Sequence, residues 1–423
     1  MLFIMKTTFF TTLMALTFAI TSVFAQKASD LKYYDVRLLG LPIVNQGFKD
    51  CVRQGSSAKD AQVKGATEYD AAMQKPIGTP AAEIFTDKKA VNDGYYTRLP
   101  ARIEGKVRQA VWDLGQCSSG IAVRFRTDSK SIGAKWTLLK NARMNHMAPS
   151  GICGFDLYGY DNGEWRFVGT AQPNGKQSLN IFHRYLDGKM REYVAFFPLY
   201  DGVINLAIGI DENARIEKPE NIGSNPFGGK AAKPLVFYGT SITQGGCASR
   251  PGMVYTNILS RMLGRECVNL GFSGNGRMDK IMAEEMTRID AGAYIIDCLG
   301  NCTLSIVRDS TLNFIKTLAT AHPDVPIIML SNYFYSNMWI DKKTFDDVSK
   351  EDALWYSLYK QMRSEGLKNL RFIYIGGNRD PKKFMKGAST GPDNEGSVDG
   401  AHLTDLGFLR MAKFLYPHMK KLK

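Results

Sequence analysis

Between about residues 100 and 211 apolar and polar side chains alternate with a period of two. Beyond residue 234 they give way to short, unbroken apolar runs set between helical stretches. One sheet cannot accommodate both patterns: alternation marks a strand with one buried and one solvated face, and an unbroken run marks a strand covered on both faces. In the first region Ile121, Val123 and Phe125 interleave with Ala122, Arg124 and Arg126. Ile132, Ala134, Trp136 and Leu138 continue the pattern, and Ile204, Leu206, Ile208 and Ile210 close it. Asp161-Asn162-Gly163, lying between Leu157-Tyr158 and Trp165 to Val168, signals a hairpin, because a tight turn needs residues that tolerate positive φ. Asp201-Gly202 offers a second turn. This half predicts an antiparallel β-sandwich.

In the second half the runs are Leu235 to Tyr238, Cys267 to Leu270, Tyr294 to Ile296, Pro326 to Leu330 and Phe372 to Ile375. Helical stretches fall between them, near 254–263, 278–289, 304–320 and 354–365. Regular alternation of strand and helix predicts a parallel, doubly wound α/β sheet with right-handed crossovers. Functional groups in such sheets gather beyond the carboxyl ends of the strands. Ser241, Gly274 and Asn301 each fall just after one of the runs.

At 423 residues the chain is long enough for two domains, and an apolar content of 44% is enough to build both cores. Met5-Lys6 followed by an apolar stretch ending Val23-Phe24-Ala25 has the form of a signal peptide, residues 1–25, with cleavage after Ala25. The expectation is an exported protein, periplasmic or extracellular. Residues 26–211 then hold the sandwich with an N-terminal extension, 212–232 a linker rich in Asn, Pro, Gly and Lys, and 233–423 the α/β domain. Tyr34 to Leu39 is strand-like, while the polar insertion before Pro100 fits neither pattern. No other stretch has the roughly 18 apolar residues of a membrane-spanning helix. The net charge of +13 is dispersed along the chain, which suits attraction to acidic glycans or anionic envelopes; no motif supports nucleic-acid binding. The seven cysteines follow neither a zinc pattern nor a dense disulfide framework, and Cys298 and Cys302 read as small buried hydrophobes.

The sequence Gly239-Thr240-Ser241-Ile242-Thr243 places a serine at the end of a buried strand, ahead of Gln244-Gly245-Gly246. Near the other end, Asp399-Gly400-Ala401-His402 offers an imidazole with a carboxylate beside it. A serine hydroxyl is a poor nucleophile at neutral pH unless a positioned base takes its proton, and the base works best when a third group fixes its tautomer. Ser241, His402 and Asp399 are thus a candidate nucleophile, base and orienting acid. These blocks resemble the SGNH (GDSL-type) hydrolases over the whole C-terminal half, which implies a flavodoxin-like sheet. The resemblance also implies an oxyanion hole made of the backbone N–H of Ser241, the backbone N–H of Gly274 and the amide of Asn301. Two departures stand out. Thr240 replaces the usual acidic residue before the serine, and Gly300 is adjacent to Asn301 where the family pattern separates glycine from asparagine; Asn275 and Asn332 are rivals for the amide.

Gly154-Phe155-Asp156-Leu157-Tyr158 resembles the Gly-x-Asp-Leu-Tyr signature of a jelly-roll-like β-sandwich that precedes a subset of exported SGNH esterases. That subset implies carbohydrate-esterase chemistry. The expected activity is removal of short acyl groups, acetyl above all, from a glycan through an acyl-enzyme intermediate. An esterase for lipid or peptidoglycan O-acetyl esters and an inactive glycan-binding protein are the alternatives. Asp156 and Tyr158 read as structural, and His146 as a packed or hydrogen-bonded residue of the sandwich. Tyr333, Tyr335 and Trp339 form a possible aromatic platform for sugar rings. With no metal-spaced cluster, neither a metal nor another cofactor is expected.

Overall fold

The computed structural model describes residues 27–51, 93–219, 232–376 and 387–422, together with two short strand pieces at 69–70 and 75–76. The expected signal segment 1–25, most of the polar insertion and the middle of the expected linker lie outside the described residues. In the first half the strands are β1 (Lys32–Asp35), β2 (Ile43–Val44), β3 (Tyr69–Asp70), β4 (Lys75–Pro76), β5 (Ala122–Thr127), β6 (Ile132–Leu138), β7 (Phe155–Asp161), β8 (Glu164–Ala171), β9 (Gln177–His183), β10 (Arg191–Phe196), β11 (Val203–Ile210) and β12 (Ile216–Glu217). The second half contributes β13 (Leu235–Gly239), β14 (Cys267–Gly271), β15 (Ala293–Asp297), β16 (Ile327–Leu330) and β17 (Leu370–Ile373).

Two antiparallel sheets make the first half. One runs β1-β11-β6-β9 and the other β12-β5-β10-β7-β8, with β2 paired to β5. Their inward residues meet in one apolar cluster that includes Tyr34, Phe125, Trp136, Phe155, Leu157 and Ile208. The hairpin expected at Asn162-Gly163 joins β7 to β8, and both turn residues have positive φ. β12 falls inside the stretch that composition reads as linker and pairs with the outer edge of β5.

The period-two pattern predicts a solvated outer face for these sheets, and on the second sheet that face is covered. Val44, Ala122, Tyr158, Val194 and Phe196 form their own apolar cluster there. The guanidinium of Arg261 lies 3.8 Å above the Tyr158 ring and that of Arg250 lies 4.0 Å above Phe167. Both arginines come from the second half, whose docking converts a wet face into an interface.

The second half is a five-stranded parallel sheet in the order β14-β13-β15-β16-β17. The chain starts in β13, steps to one side for β14 and returns to the other side for β15, so the order reverses beside β13. A doubly wound sheet opens its binding crevice at that point. Alternate strand residues face opposite ways. Leu235, Phe237 and Ile295 share the sandwich's apolar cluster with Leu259, Phe408 and Leu415 of helices 255–263 and 405–419. Val236, Tyr238 and Ile296 face a second cluster with Met282, Phe314 and Trp355 of helices 280–286, 304–321 and 342–364. Phe48, Leu99 and Trp112 of the first half also enter this second cluster. No helix among the described residues is long and apolar enough to cross a membrane.

Candidate active site

β13 delivers Ser241 to the switch point. Thr240 has an extended backbone and ends the strand; its hydroxyl accepts the N–H of Ile242 at 3.1 Å, and the Thr243 hydroxyl accepts the N–H of Thr240 at 3.2 Å. This reciprocal cap starts the one-turn helix Ser241–Gln244. Thr240 therefore keeps a capping role where an acidic side chain is usual, and no hydrogen-bonding group is lost there. Ser241 is the first residue of the turn and is 9% exposed, so it is packed over nearly all of its surface.

The partner of Ser241 arrives from the far end of the chain. Ser241 Oγ lies 2.9 Å from His402 Nε2, and His402 Nδ1 lies 2.7 Å from Asp399 Oδ2. Asp399 also accepts the backbone N–H groups of Ala401 and His402 through Oδ1, at 3.0 and 2.8 Å. Gly400, at φ +92°, allows the tight turn that places Asp399 and His402 on one another. The turn is pinned by a Val398 N–H to His402 carbonyl bond of 2.8 Å and by Thr404, which caps the final helix. Partial burial works to raise the Asp399 carboxyl, but the imidazole and the two N–H donors outweigh it and hold the group at about 2. Asp399 is therefore a carboxylate at any working pH. It accepts Nδ1–H and leaves the Nε2 lone pair facing the serine hydroxyl.

The loop after β14 carries Gly274, at φ +66° with open space around its Cα. This loop presses against the end of β13 so closely that a Cβ on Gly276 would sit 2.0 Å from the Gly239 carbonyl oxygen. Among the described residues no hydrogen bond occupies the backbone N–H of Ser241 or of Gly274. Asn301 ends a short turn after β15 and donates its amide to the Phe272 carbonyl at 3.2 Å, which ties it to the Gly274 loop. Its rivals are committed elsewhere. The Asn275 amide donates to Ser273 and its oxygen accepts from Arg108, while the Asn332 amide donates to Glu351 and its oxygen accepts from Tyr333 and Tyr335.

The aromatic loop is fixed to the His402 turn. Ser336 donates its N–H to the Gly400 carbonyl at 2.8 Å and shares a 2.7 Å hydroxyl contact with Ser397. Its three candidate platform residues divide. Tyr333 is buried with its hydroxyl on Asp297, so it cannot present a face to a sugar; Tyr335 is half-buried with its hydroxyl on Asn332; Trp339 is 60% exposed. Tyr333 is a correction to the expected platform, and its cause is a buried carboxylate that outcompetes solvent for the hydroxyl. Behind the Ser241 turn, Asp297 Oδ2 receives the hydroxyls of Tyr333, Tyr255 and Thr243 at 2.6, 2.7 and 2.9 Å.

Several residues at the site come from the first half and carry no sequence signal. Arg108 grips the Gly274 loop, donating to both Asn275 oxygens at 2.7 Å and to the Asp279 carboxylate at 2.8 Å. Arg98 is buried and spends its guanidinium on the carbonyls of Gly271, Cys117 and Leu114, with no carboxylate partner among the described residues; burial lowers it to about 10. Tyr200 donates to the Ser241 carbonyl at 3.3 Å. His146, expected within the sandwich, is exposed, with its ring centroid 5.9 Å from that of His402. The Gly-x-Asp-Leu-Tyr segment has a structural task. Asp156 is fully buried and accepts from Arg250 at 2.6 Å, the Gly252 N–H at 2.9 Å and Thr170 at 2.6 Å, while Arg250 also donates to the Tyr158 hydroxyl at 2.7 Å. The motif is the clamp between the two halves. All seven cysteines, Cys298 and Cys302 among them, are buried free thiols.

Known proteins match along the same division. Residues 232–420 match the GDSL-like lipase/acylhydrolase family, and residues 80–216 match the N-terminus of SGNH-type esterases. A crystal structure from Bacteroides ovatus ATCC 8483, named as a GDSL-like lipase, is 35% identical, with a TM-score of 0.71 over 79% of this chain and 94% of that one. A salicylyl-acyltransferase from a tetracycline biosynthetic pathway superposes with a TM-score of 0.58 at 15% identity, over 76% of this chain and 88% of that one, a likeness of fold alone. No curated protein matches the chain. An antiparallel β-domain bearing the Gly-x-Asp-Leu-Tyr segment, followed by this five-stranded sheet, makes the chain a member of the GDSL-like (SGNH) lipase/acylhydrolase family.

Proposed function

We propose that the protein is an exported serine esterase that removes short acyl groups, acetyl above all, from a glycan. Ser241 Oγ attacks the ester carbonyl carbon while His402 Nε2 takes the hydroxyl proton, and Asp399 stabilises the imidazolium that forms. The N–H groups of Ser241 and Gly274 and the Asn301 amide receive the charge that develops on the carbonyl oxygen. Donors of this kind are worth roughly 3 to 4 kcal/mol each in comparable enzymes. His402 returns its proton to the departing sugar oxygen, and a water molecule, deprotonated by the same nitrogen, releases the acid from Ser241.

The observation that carries the substrate class is the openness of the triad. His402 and Asp399 keep side-chain exposures of 28% and 40%, and Trp339 stands exposed on the loop bonded to their turn. Such a site suits a small acyl group on a large polar body that stays outside, with Trp339 as a stacking face; a long acyl chain would need an apolar channel to leave water. Export is supported by the apolar N-terminal segment. The test is a chain-length series of 4-nitrophenyl esters alongside acetate release from acetylated oligosaccharides of defined linkage. The expected result is a preference for acetyl over octanoyl of roughly tenfold or more in kcat/KM. In Trp339→Ala, KM should rise on the glycan and stay unchanged on 4-nitrophenyl acetate. A preference for octanoyl would move the assignment to lipid.

A further inference from the structure

We propose that His146, Cys247 and His402 form a site for a borderline or thiophilic divalent cation such as zinc, and that filling it switches hydrolysis off. One ligand atom from each residue lies within 4.8 Å of those of the other two. Both histidines have a partner that orients the ring: His146 Nδ1 lies 3.0 Å from Asn145 Oδ1 and His402 Nδ1 lies 2.7 Å from Asp399 Oδ2. Each Nδ1–H is thereby committed, leaving Nε2 as the lone pair on both rings. A carboxylate or amide oxygen behind a ligating imidazole is the usual support of a histidine metal site.

Cys247 adds an independent sign. It is held at φ +72°, a conformation that costs a residue with a side chain free energy and persists only where surroundings enforce it. The surroundings are visible. The following residues are tied down by the Ala248 N–H to the Gly245 carbonyl at 3.1 Å and the Ser249 N–H to Asp405 at 2.9 Å. From the other half, Gly151 approaches so closely that a Cβ there would meet the Ala248 oxygen at 2.2 Å. The thiol is thus fixed beside the base, and exposed His146 is the ligand able to move in. Bonds of about 2.0 to 2.3 Å place tetrahedral ligand atoms about 3.5 Å apart, so the ligands draw together from their present spacing when the cation binds.

At rest Cys247 is a buried free thiol. Binding is therefore an exchange: the cation takes the thiolate sulfur and two imidazole nitrogens, one proton leaves to solvent, and water fills the fourth position. His402 can no longer accept the Ser241 proton while its Nε2 is ligated. The sequence predicts no metal cofactor, and this cation is an inhibitor, not a participant in the reaction. The inhibitory part rests on His402 being the base; the binding part does not.

Two titrations of the full chain separate the parts. Cadmium chloride should raise a cadmium–thiolate ultraviolet band that saturates at one equivalent and disappears in Cys247→Ser. Zinc chloride should inhibit hydrolysis of 4-nitrophenyl acetate, reversibly by EDTA. Cys247→Ser and the surface variant His146→Ala should each raise the inhibitory zinc concentration roughly tenfold or more, judged against that variant's own metal-free rate. A band that persists in Cys247→Ser, or unchanged inhibition in both variants, overturns the site. A band without inhibition in the wild type leaves thiolate binding standing and overturns the switch, while the role of His402 as base is judged separately by the rate of His402→Ala.

Discussion

Asp297 is the residue whose setting most departs from its chemistry. It ends β15 with no ion-pair partner among the described residues, and burial pushes its carboxyl up to about 6 although three hydroxyls donate to it. The folded protein therefore keeps a proton that the unfolded chain gives up. That contribution stabilises the fold below about pH 4 and is lost as pH rises to about 6, by on the order of 3 kcal/mol. Asp297→Asn cannot titrate, so the stability of the wild type relative to this variant should fall as pH rises through that window. Thermal unfolding of both proteins at several pH values measures it, and a constant difference would contradict the account. At this scale the sequence is uneven. Ser241 is legible because a strand end followed by a glycine-rich turn is local, and so is the Asp399–His402 contact, which spans three residues. The Asp297 cluster is not, because Tyr255, Thr243 and Tyr333 come from three separate elements and no local pattern brings them together.

Elements show the same division between local and distant causes. The five parallel strands and most helices are legible because apolar periodicity is written into each segment. Helix 342–364 begins twelve residues before the stretch that periodicity picks out near 354. Its first turns are polar and are set by the Asp341 cap and by surface pairs of Lys342 with Asp346 and Lys343 with Asp347, a signal of capping and charge spacing that apolar periodicity does not register. The Gly274 loop is a second case. Its length and glycines are local, but its position depends on Arg108 from the other half. Arg108→Ala should release Asn275 and Asp279 and let the Gly274 N–H drift. The expected result is a loss of roughly tenfold in kcat with KM little changed, since the donor matters most when charge has developed. An unchanged kcat, or a change in KM alone, would show that the loop holds itself.

For the whole molecule, the two sequence halves are distinct in periodicity but share their cores. The two large apolar clusters cross the boundary, and the buried Asp156–Arg250 pair locks it. Antiparallel and parallel sheets are readable from their patterns; that the outer face of one would be covered by the other is not, because alternation reports polarity and says nothing about which polar residues meet arginine. Two outcomes follow. Asp156→Ala should destabilise the protein by roughly 3 kcal/mol or more, because Arg250 loses its buried partner, and denaturant unfolding measures this. A fragment starting at Lys233 should aggregate or unfold without cooperativity, since its face of the shared core would meet water; a monomeric, cooperative fragment would contradict the shared core. The central claim also spans the chain, because residue 241 supplies the nucleophile and residue 402 its base. The most direct measurement is reaction of the full-length protein with a fluorophosphonate, followed by intact mass and peptide mapping. The account predicts a single adduct on Ser241, no adduct in Ser241→Ala, and labelling slowed by several orders of magnitude in His402→Ala. An adduct on another residue, or labelling of Ser241 at the same rate without His402, would contradict it.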